Sequence, residues 1–290
     1  MRKIIPYVLM APLIFLLLIL ILGLINALVQ SFGYIPSLGL SDISFDYYRE
    51  IFRNPDFRDS LLLSLFICVV SSIFSIIIGI IICAALVYSP KNNFLNGYLI
   101  RIPILIPHTV VAFFSVLLFS QSGMLSRLLF SVGLISNPSD FPNFLYGSGG
   151  SGIIWGYVWK QAPFVAFFVF SLMESVSKTL EEAAVTLGAS RLKAFFTITL
   201  PLSMPSILHV FLMIAAFSFG AYELPFLLGV TKPKALPVQA YVEYTHPDLK
   251  HRPYAMAVNG VIILVTFLIA LVYFFVLNKK VGGFRKTYEK

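Results

Sequence analysis

The chain has 290 residues, of which 58% are hydrophobic and only 12% charged, with a formal net charge of +8. Soluble domains carry about 25% charged residues, so the composition excludes a soluble globular domain and points to a polytopic membrane protein. A basic excess in a soluble chain would point to nucleic acid; here the charges lie between long apolar runs and report topology instead.

Arg2 and Lys3 precede a first apolar run at 6–32. No small-residue cleavage site follows a short core, so an uncleaved anchor is expected rather than a signal peptide. A mixed-charge loop with Tyr47 and Tyr48 leads to a second, uncharged run at 60–89, which holds both cysteines, Cys68 and Cys83. They read as small buried residues rather than a disulfide or metal site. A short polar turn at 90–93 precedes a third run at 101–120, with Pro103 and Pro107 in its first turns. Proline there bends a helix but is tolerated. Within the loop 121–150, the stretch 124–132 reads as a short interfacial helix, and glycine and proline clusters mark turns. A fourth run at 152–173 contains Lys160 and Pro163. A polar stretch at 174–201 separates it from a fifth run at 202–228. A polar loop at 231–253 precedes a sixth run at 255–277. Each run meets the roughly 20 residues needed to cross a bilayer. The whole chain, 1–290, therefore reads as one all-α membrane domain with six transmembrane helices.

Charge placement agrees with that count. With the N-terminus inside, twelve basic and four acidic residues fall on the inner side, and nine of each elsewhere. The whole positive excess is then cytoplasmic, as membrane insertion favours, and both termini and the 174–201 loop are expected inside.

That loop is the most informative stretch. Glu181, Glu182, Ala183 and Ala184 are helix formers, with carboxylates suited to a first turn. Gly188 is placed to take a left-handed conformation and end the helix. Arg191 and Lys193 follow, and Pro201 opens the next apolar run. The pattern predicts helix, turn and helix on one side of the membrane.

Glu182-Ala183-Ala184, three residues, Gly188, nine residues, and then Ile198-Thr199-Leu200-Pro201 resemble the EAA loop of binding-protein-dependent ABC transporter permeases in residue type and spacing. The resemblance extends more loosely along most of the chain. It implies a type I ABC importer permease fold with a cytoplasmic coupling helix. It assigns Glu182, Ala183, Ala184, Gly188, Ile198, Leu200 and Pro201 to coupling with a separate ATPase. It further implies two ATPase copies binding ATP and Mg, an extracytoplasmic solute-binding protein outside, and a second permease subunit in the inner membrane. The stretch from Phe217 to Leu228 and the Leu236-Pro237-Val238-Gln239-Ala240-Tyr241 segment look most like the polyamine branch, which favours a different chain as that second subunit. Relatives for aminoethylphosphonate, ferric iron and thiamine look similar.

Lys160 and Glu223 are charges inside apolar runs, and such residues usually face the bundle or a water-filled path. Lys160 also reads as a snorkelling lysine near the outer interface, with Trp155 and Trp159 as interface aromatics. Tyr222 and Phe219 are further candidates for lining a translocation path, although aromatics in spans more often pack. His108 and His209 are isolated among apolar residues. His246 and His251 lack the companions of a metal site, so no metal ligand is expected, and 231–253 reads as an external loop. No phosphate-binding Gly-x-x-x-x-Gly-Lys-Ser/Thr loop occurs. No zinc-protease or serine-nucleophile motif occurs either, so the chain carries no catalytic residues of those classes. An intramembrane hydrolase is thereby disfavoured. The other alternative is a secondary transporter driven by an ion gradient, a class usually built from internal repeats; no repeat is evident.

Overall fold

The computed structural model describes residues 5–88, 94–147, 149–176 and 178–288. The polar turn expected at 90–93 and the terminal charges Arg2, Lys3, Glu289 and Lys290 lie outside them. The described residues are mostly helical and contain no strand beyond an isolated bridge between Ile35 and Leu40. Among the described residues, five helices are long and apolar enough to cross a membrane, and a sixth span forms if one bent pair counts as a unit.

α1 (Ile5–Ser31) is apolar on every face, and its side chains from Leu9 to Leu22 are nearly all exposed. A helix apolar all round suits lipid, and α1 touches the bundle mainly through the last helix. The following loop is more ordered than a mixed-charge linker: it contains α2 (Asp46–Arg53), whose Ile51 is buried. α3 (Pro55–Tyr88) is the central pillar. Its residues enter three separate core clusters, through Phe57 and Cys68, through Cys83 and Ala84, and through Leu63 and Ile67.

The third span is broken rather than bent. α4 (Phe94–Leu105) and α5 (His108–Phe119) flank Ile106 and Pro107. Pro107 has no N–H to continue the ladder and disfavours helical backbone at Ile106. The helix also starts at Phe94, earlier than the expected boundary at Arg101, and Arg101 lies over the Phe167 ring at 5.1 Å. α6 (Met124–Ser131) is the short helix expected in the next loop. α7 (Ser151–Val176) packs along α3 at close range. Gly79 of α3 makes this possible: a Cβ there would lie 2.6 Å from Val165 Cγ1 and 2.9 Å from the Ala162 carbonyl. Small residues at such contacts let membrane helices approach.

α8 (Lys178–Thr186), α9 (Arg191–Ala194), a π-helical turn at Phe195–Thr199 and α10 (Leu200–Leu202) lead into α11 (Met204–Gly220). The chain bends by 67° between the Arg191–Leu202 and Met204–Gly220 segments. Pro201 and Pro205 each remove a backbone donor beside that bend. The fifth span does not run unbroken to Leu228. It stops at Gly220, and α12 (Glu223–Leu228) follows after Ala221 and Tyr222. The 231–253 segment is also corrected. It holds α13 (Leu236–Tyr244), with Leu236, Pro237, Val238 and Ala240 buried against α3 and α14 (Arg252–Tyr288). The Ser64 hydroxyl of α3 accepts the Leu236 N–H at 2.6 Å, a tie between residues far apart in sequence.

One buried polar chain crosses the bundle. Ser75 of α3 donates to Gln161 Oε1 at 3.1 Å, and Gln161 Nε2 donates to Ser218 Oγ of α11 at 2.6 Å. Such bonds between membrane helices average about 0.6 kcal/mol each.

Candidate functional site

The 174–201 loop folds as helix, turn and helix. α8 ends in a Schellman motif. The Ala189 N–H bonds the Ala184 carbonyl at 3.0 Å, and the Gly188 N–H bonds the Val185 carbonyl at 3.0 Å. Gly188 takes φ +92°, the left-handed backbone such a motif demands at this position. Ser190 then caps α9, its hydroxyl accepting the Lys193 N–H at 3.3 Å. The loop is tied back on itself by Thr199, whose hydroxyl donates to Glu181 at 3.3 Å.

The predicted coupling residues divide by exposure. Glu182, Ala183, Gly188 and Pro201 are exposed, whereas Ala184, Ile198 and Leu200 are half-buried. Leu200 packs on the cluster formed by Cys83, Val165, Phe195 and Ile207, so it anchors the loop to the bundle. Sequence reasoning missed Leu187, which is 89% exposed at the turn. Leu180 and Leu192 are also largely exposed near it. An apolar residue immediately before a C-terminal glycine was the available signal. A polar loop that presents leucines around a rigid turn offers an apolar knob flanked by the Glu182 carboxylate.

The second polar locus lies within the bundle. Lys160 Nζ donates to the Ile106 carbonyl at the α4–α5 break. Tyr157, one turn earlier on α7, points its hydroxyl at the Ala221 carbonyl of the α11–α12 break, 3.5 Å away. His108 Nδ1 lies 3.6 Å from Glu223 Oε2, and the His108 ring stacks on Phe217 at 5.4 Å. His108 is therefore not isolated; its partners come from a segment more than a hundred residues away. His209 likewise stacks on Phe168. Tyr222 joins an aromatic cluster with Phe226 and Tyr241, at centroid distances of 4.9 and 5.0 Å.

Of the four path candidates, Lys160 lies at the α4–α5 break and Glu223 beside His108 just after it, whereas Tyr222 packs with Phe226 and Tyr241. Phe219 is fully buried beside Cys68 and Ala215, because its face of α11 turns to α3 and α14. The exposed face of α11 instead carries His209, Met213 and Phe217 at helical spacing. Near the end of α13, His251 Nε2 lies 2.7 Å from Glu243 and its ring stacks against His246 and Tyr254. Among the described residues, no group of three or more ligating side chains converges.

The sequence profile of the binding-protein-dependent transport system inner membrane component family matches residues 53–283. Among curated proteins, the chain is 30% identical over 165 residues to the spermidine/putrescine transport system permease protein PotB of Escherichia coli (strain K12). That match covers 56% of this chain and 58% of the relative, a little over half of each. It is 25% identical over 222 residues to the sn-glycerol-3-phosphate transport system permease protein UgpA of Pectobacterium atrosepticum, covering 75% and 73%. Among solved structures, it superposes with a TM-score of 0.79 at 20% identity on a bacterial ABC transporter involved in the import of the acidic polysaccharide alginate, over 96% of both chains. At that identity the likeness concerns the fold alone. A family profile that spans most of the chain, on a bundle with this fold, establishes that the chain belongs to the binding-protein-dependent transport system inner membrane components.

Proposed function

We propose that the chain is the transmembrane permease subunit of an ATP-driven ABC importer, forming half of the path for a small solute. An extracytoplasmic solute-binding protein delivers the solute, and two copies of a separate ATPase supply ATP and Mg chemistry inside. Both termini and the 174–201 loop are cytoplasmic in this reading, which the one-sided positive charge supports. The second permease is a different chain, as the likeness to the polyamine-type permeases favours.

One observation carries the reading. The α8–α9 loop is rigidly turned at Gly188, anchored to the bundle at Leu200, and presents Leu187 and Glu182 outward. A docking partner would bury the leucines, each worth on the order of 1.5–3 kcal/mol when fully desolvated, and pair the carboxylate. Movement of that partner would be transmitted through Leu200 and the 67° bend into α11, whose exposed face carries His209, Met213 and Phe217. Family membership favours this reading over an ion-gradient-driven transporter.

The test is purification of the tagged chain from its native membrane in mild detergent. A P-loop ATPase should accompany it and be lost when Leu187 is replaced by Asp. Recovery of the chain without an ATPase under conditions that keep the bundle folded would contradict the proposal.

A further inference from the structure

Breaking a membrane helix frees carbonyls that lipid cannot satisfy. Two of the breaks in this bundle, α4–α5 and α11–α12, are served from α7, by Lys160 at Ile106 and by Tyr157 at Ala221. The two differ in kind. Tyr157 is fully buried and belongs to the core cluster with Ile153 and Leu224. Lys160 is only partly buried, and it brings a full positive charge to one neutral carbonyl. Glu223, at the start of α12, reaches His108, two residues beyond the Ile106 carbonyl, with its Oε2 3.6 Å from the His108 Nδ1. Its side chain is 56% exposed, against 24% for His108. The carboxylate is thus the open member of the group. Aromatic rings belong to the same region: Phe217 stacks on His108, and Tyr222, the residue before Glu223, clusters with Phe226 and Tyr241.

A lysine side chain is a butylammonium ion on a tether. Whatever satisfies its ammonium satisfies the end of any unbranched primary alkylamine, since both offer three N–H donors and one charge. Aromatic faces attract the same cations. We propose that the Ile106 carbonyl and the Glu223 carboxylate form a transit site for the ammonium end of a primary alkylamine solute, and that Lys160 occupies it when no solute is present. This deepens the permease reading and rests on it. An anionic solute fits worse, because it would meet an open carboxylate and a carbonyl oxygen, with Lys160 already engaged and His108 held against Glu223.

The arrangement suits transport. A site that must release its solute cannot be a deep well. Exchange of one ammonium for another keeps the Ile106 carbonyl satisfied throughout, while the displaced Lys160 extends along its flexible stem to more polar surroundings. The tethered occupant lowers apparent affinity by the fraction of time it leaves the site free.

The test uses the purified permease–ATPase complex in nanodiscs, without solute-binding protein and without ATP, with 1,4-diaminobutane as the probe in calorimetric titration. Lys160→Met should bind the probe about tenfold tighter or more, since the internal competitor is gone. Glu223→Gln should weaken binding at least about tenfold in either background, as loss of a charged partner does. Unchanged or weaker binding in Lys160→Met would overturn the proposal, because a merely structural lysine predicts that direction. Tighter binding of glycerol 3-phosphate than of the diamine, lost in Lys160→Met, would assign the site to anions and overturn it too. If Lys160→Met fails to assemble, Lys160→Gln keeps a donor for the Ile106 carbonyl and should still tighten binding. Glu223→Gln in the otherwise native complex is an independent arm, and unchanged diamine binding there refutes the site. ATPase retention, measured in every variant, reports separately on the permease reading.

Discussion

Substitution of Gly188 separates a backbone cost from a steric one. The residue sits at φ +92°, and a Cβ built there meets no atom within 4 Å. Any effect of a side chain therefore comes from the left-handed backbone and not from a clash. Holding an ordinary L-residue in that region costs about 1–2 kcal/mol, less for Asn and more for a β-branched residue. The Schellman bonds at 3.0 Å from Ala189 and Gly188 are the first to open when that cost is relieved by unwinding. Local opening should then become about 5–30 times more frequent, the factor that 1–2 kcal/mol represents. Amide hydrogen exchange of the nanodisc-embedded chain, read at residues 187–189, should rank Gly slowest, then Asn, Ala and Val. Exchange elsewhere in the bundle should be unchanged. A wild-type rate in Gly188→Val, or Asn as disruptive as Val, would refute the reasoning.

Two further outcomes follow from other parts of the bundle. Gly79→Ala should lower thermal stability by an amount typical of overpacking, about 1–3 kcal/mol, since its Cβ would meet Val165 at 2.6 Å; Val165→Ala in the same chain should restore much of the loss, and a double variant no better than the single would contradict the close approach of α3 and α7. In a background without Cys68 and Cys83, cysteines at Asp140 and Lys234 should react with a membrane-impermeant thiol reagent in intact cells, whereas cysteines at Asn92 and Arg285 should react only after permeabilisation; labelling of Asn92 in intact cells would refute the topology.

The spans were legible because twenty apolar residues in a row have few other uses, and their extents differ from expectation mainly where backbone geometry intervenes. The loop was legible for a different reason. Its helix formers, C-terminal glycine and downstream proline act locally, so sequence order carries the geometry, and Gly188 takes the conformation its position requires. The breaks were not legible in the same way. Pro107 is compatible with a kink or a full break, and the tertiary donor Lys160, distant in sequence, accompanies the second outcome. At Ala221 and Tyr222 the breaker is remote by one turn: Pro225 lacks the N–H that would bond the Ala221 carbonyl. α13 reads as a loop in the sequence because its polar neighbours dominate composition, while its burial depends on Ser64 and on α14. His108 and Glu223 looked unrelated for the same cause: their proximity is a property of packing, not of pattern. Phe219 was misplaced because the apolar and exposed faces of α11 cannot be told apart when every residue on it is apolar or small.

Coupling of the bundle to an ATPase through the loop turned at Gly188 requires that a change on the loop's outer face reach ATP hydrolysis. The direct measurement is solute-stimulated ATP hydrolysis by the complex in nanodiscs, with loaded and unloaded binding protein, comparing the native chain with Glu182→Lys. Glu182 is exposed on α8 and forms no ion pair among the described residues, so the variant should insert and fold normally. It should either lose the ATPase on purification or keep it and lose the stimulation by loaded binding protein. Full ATPase retention together with full stimulation in Glu182→Lys would contradict the account.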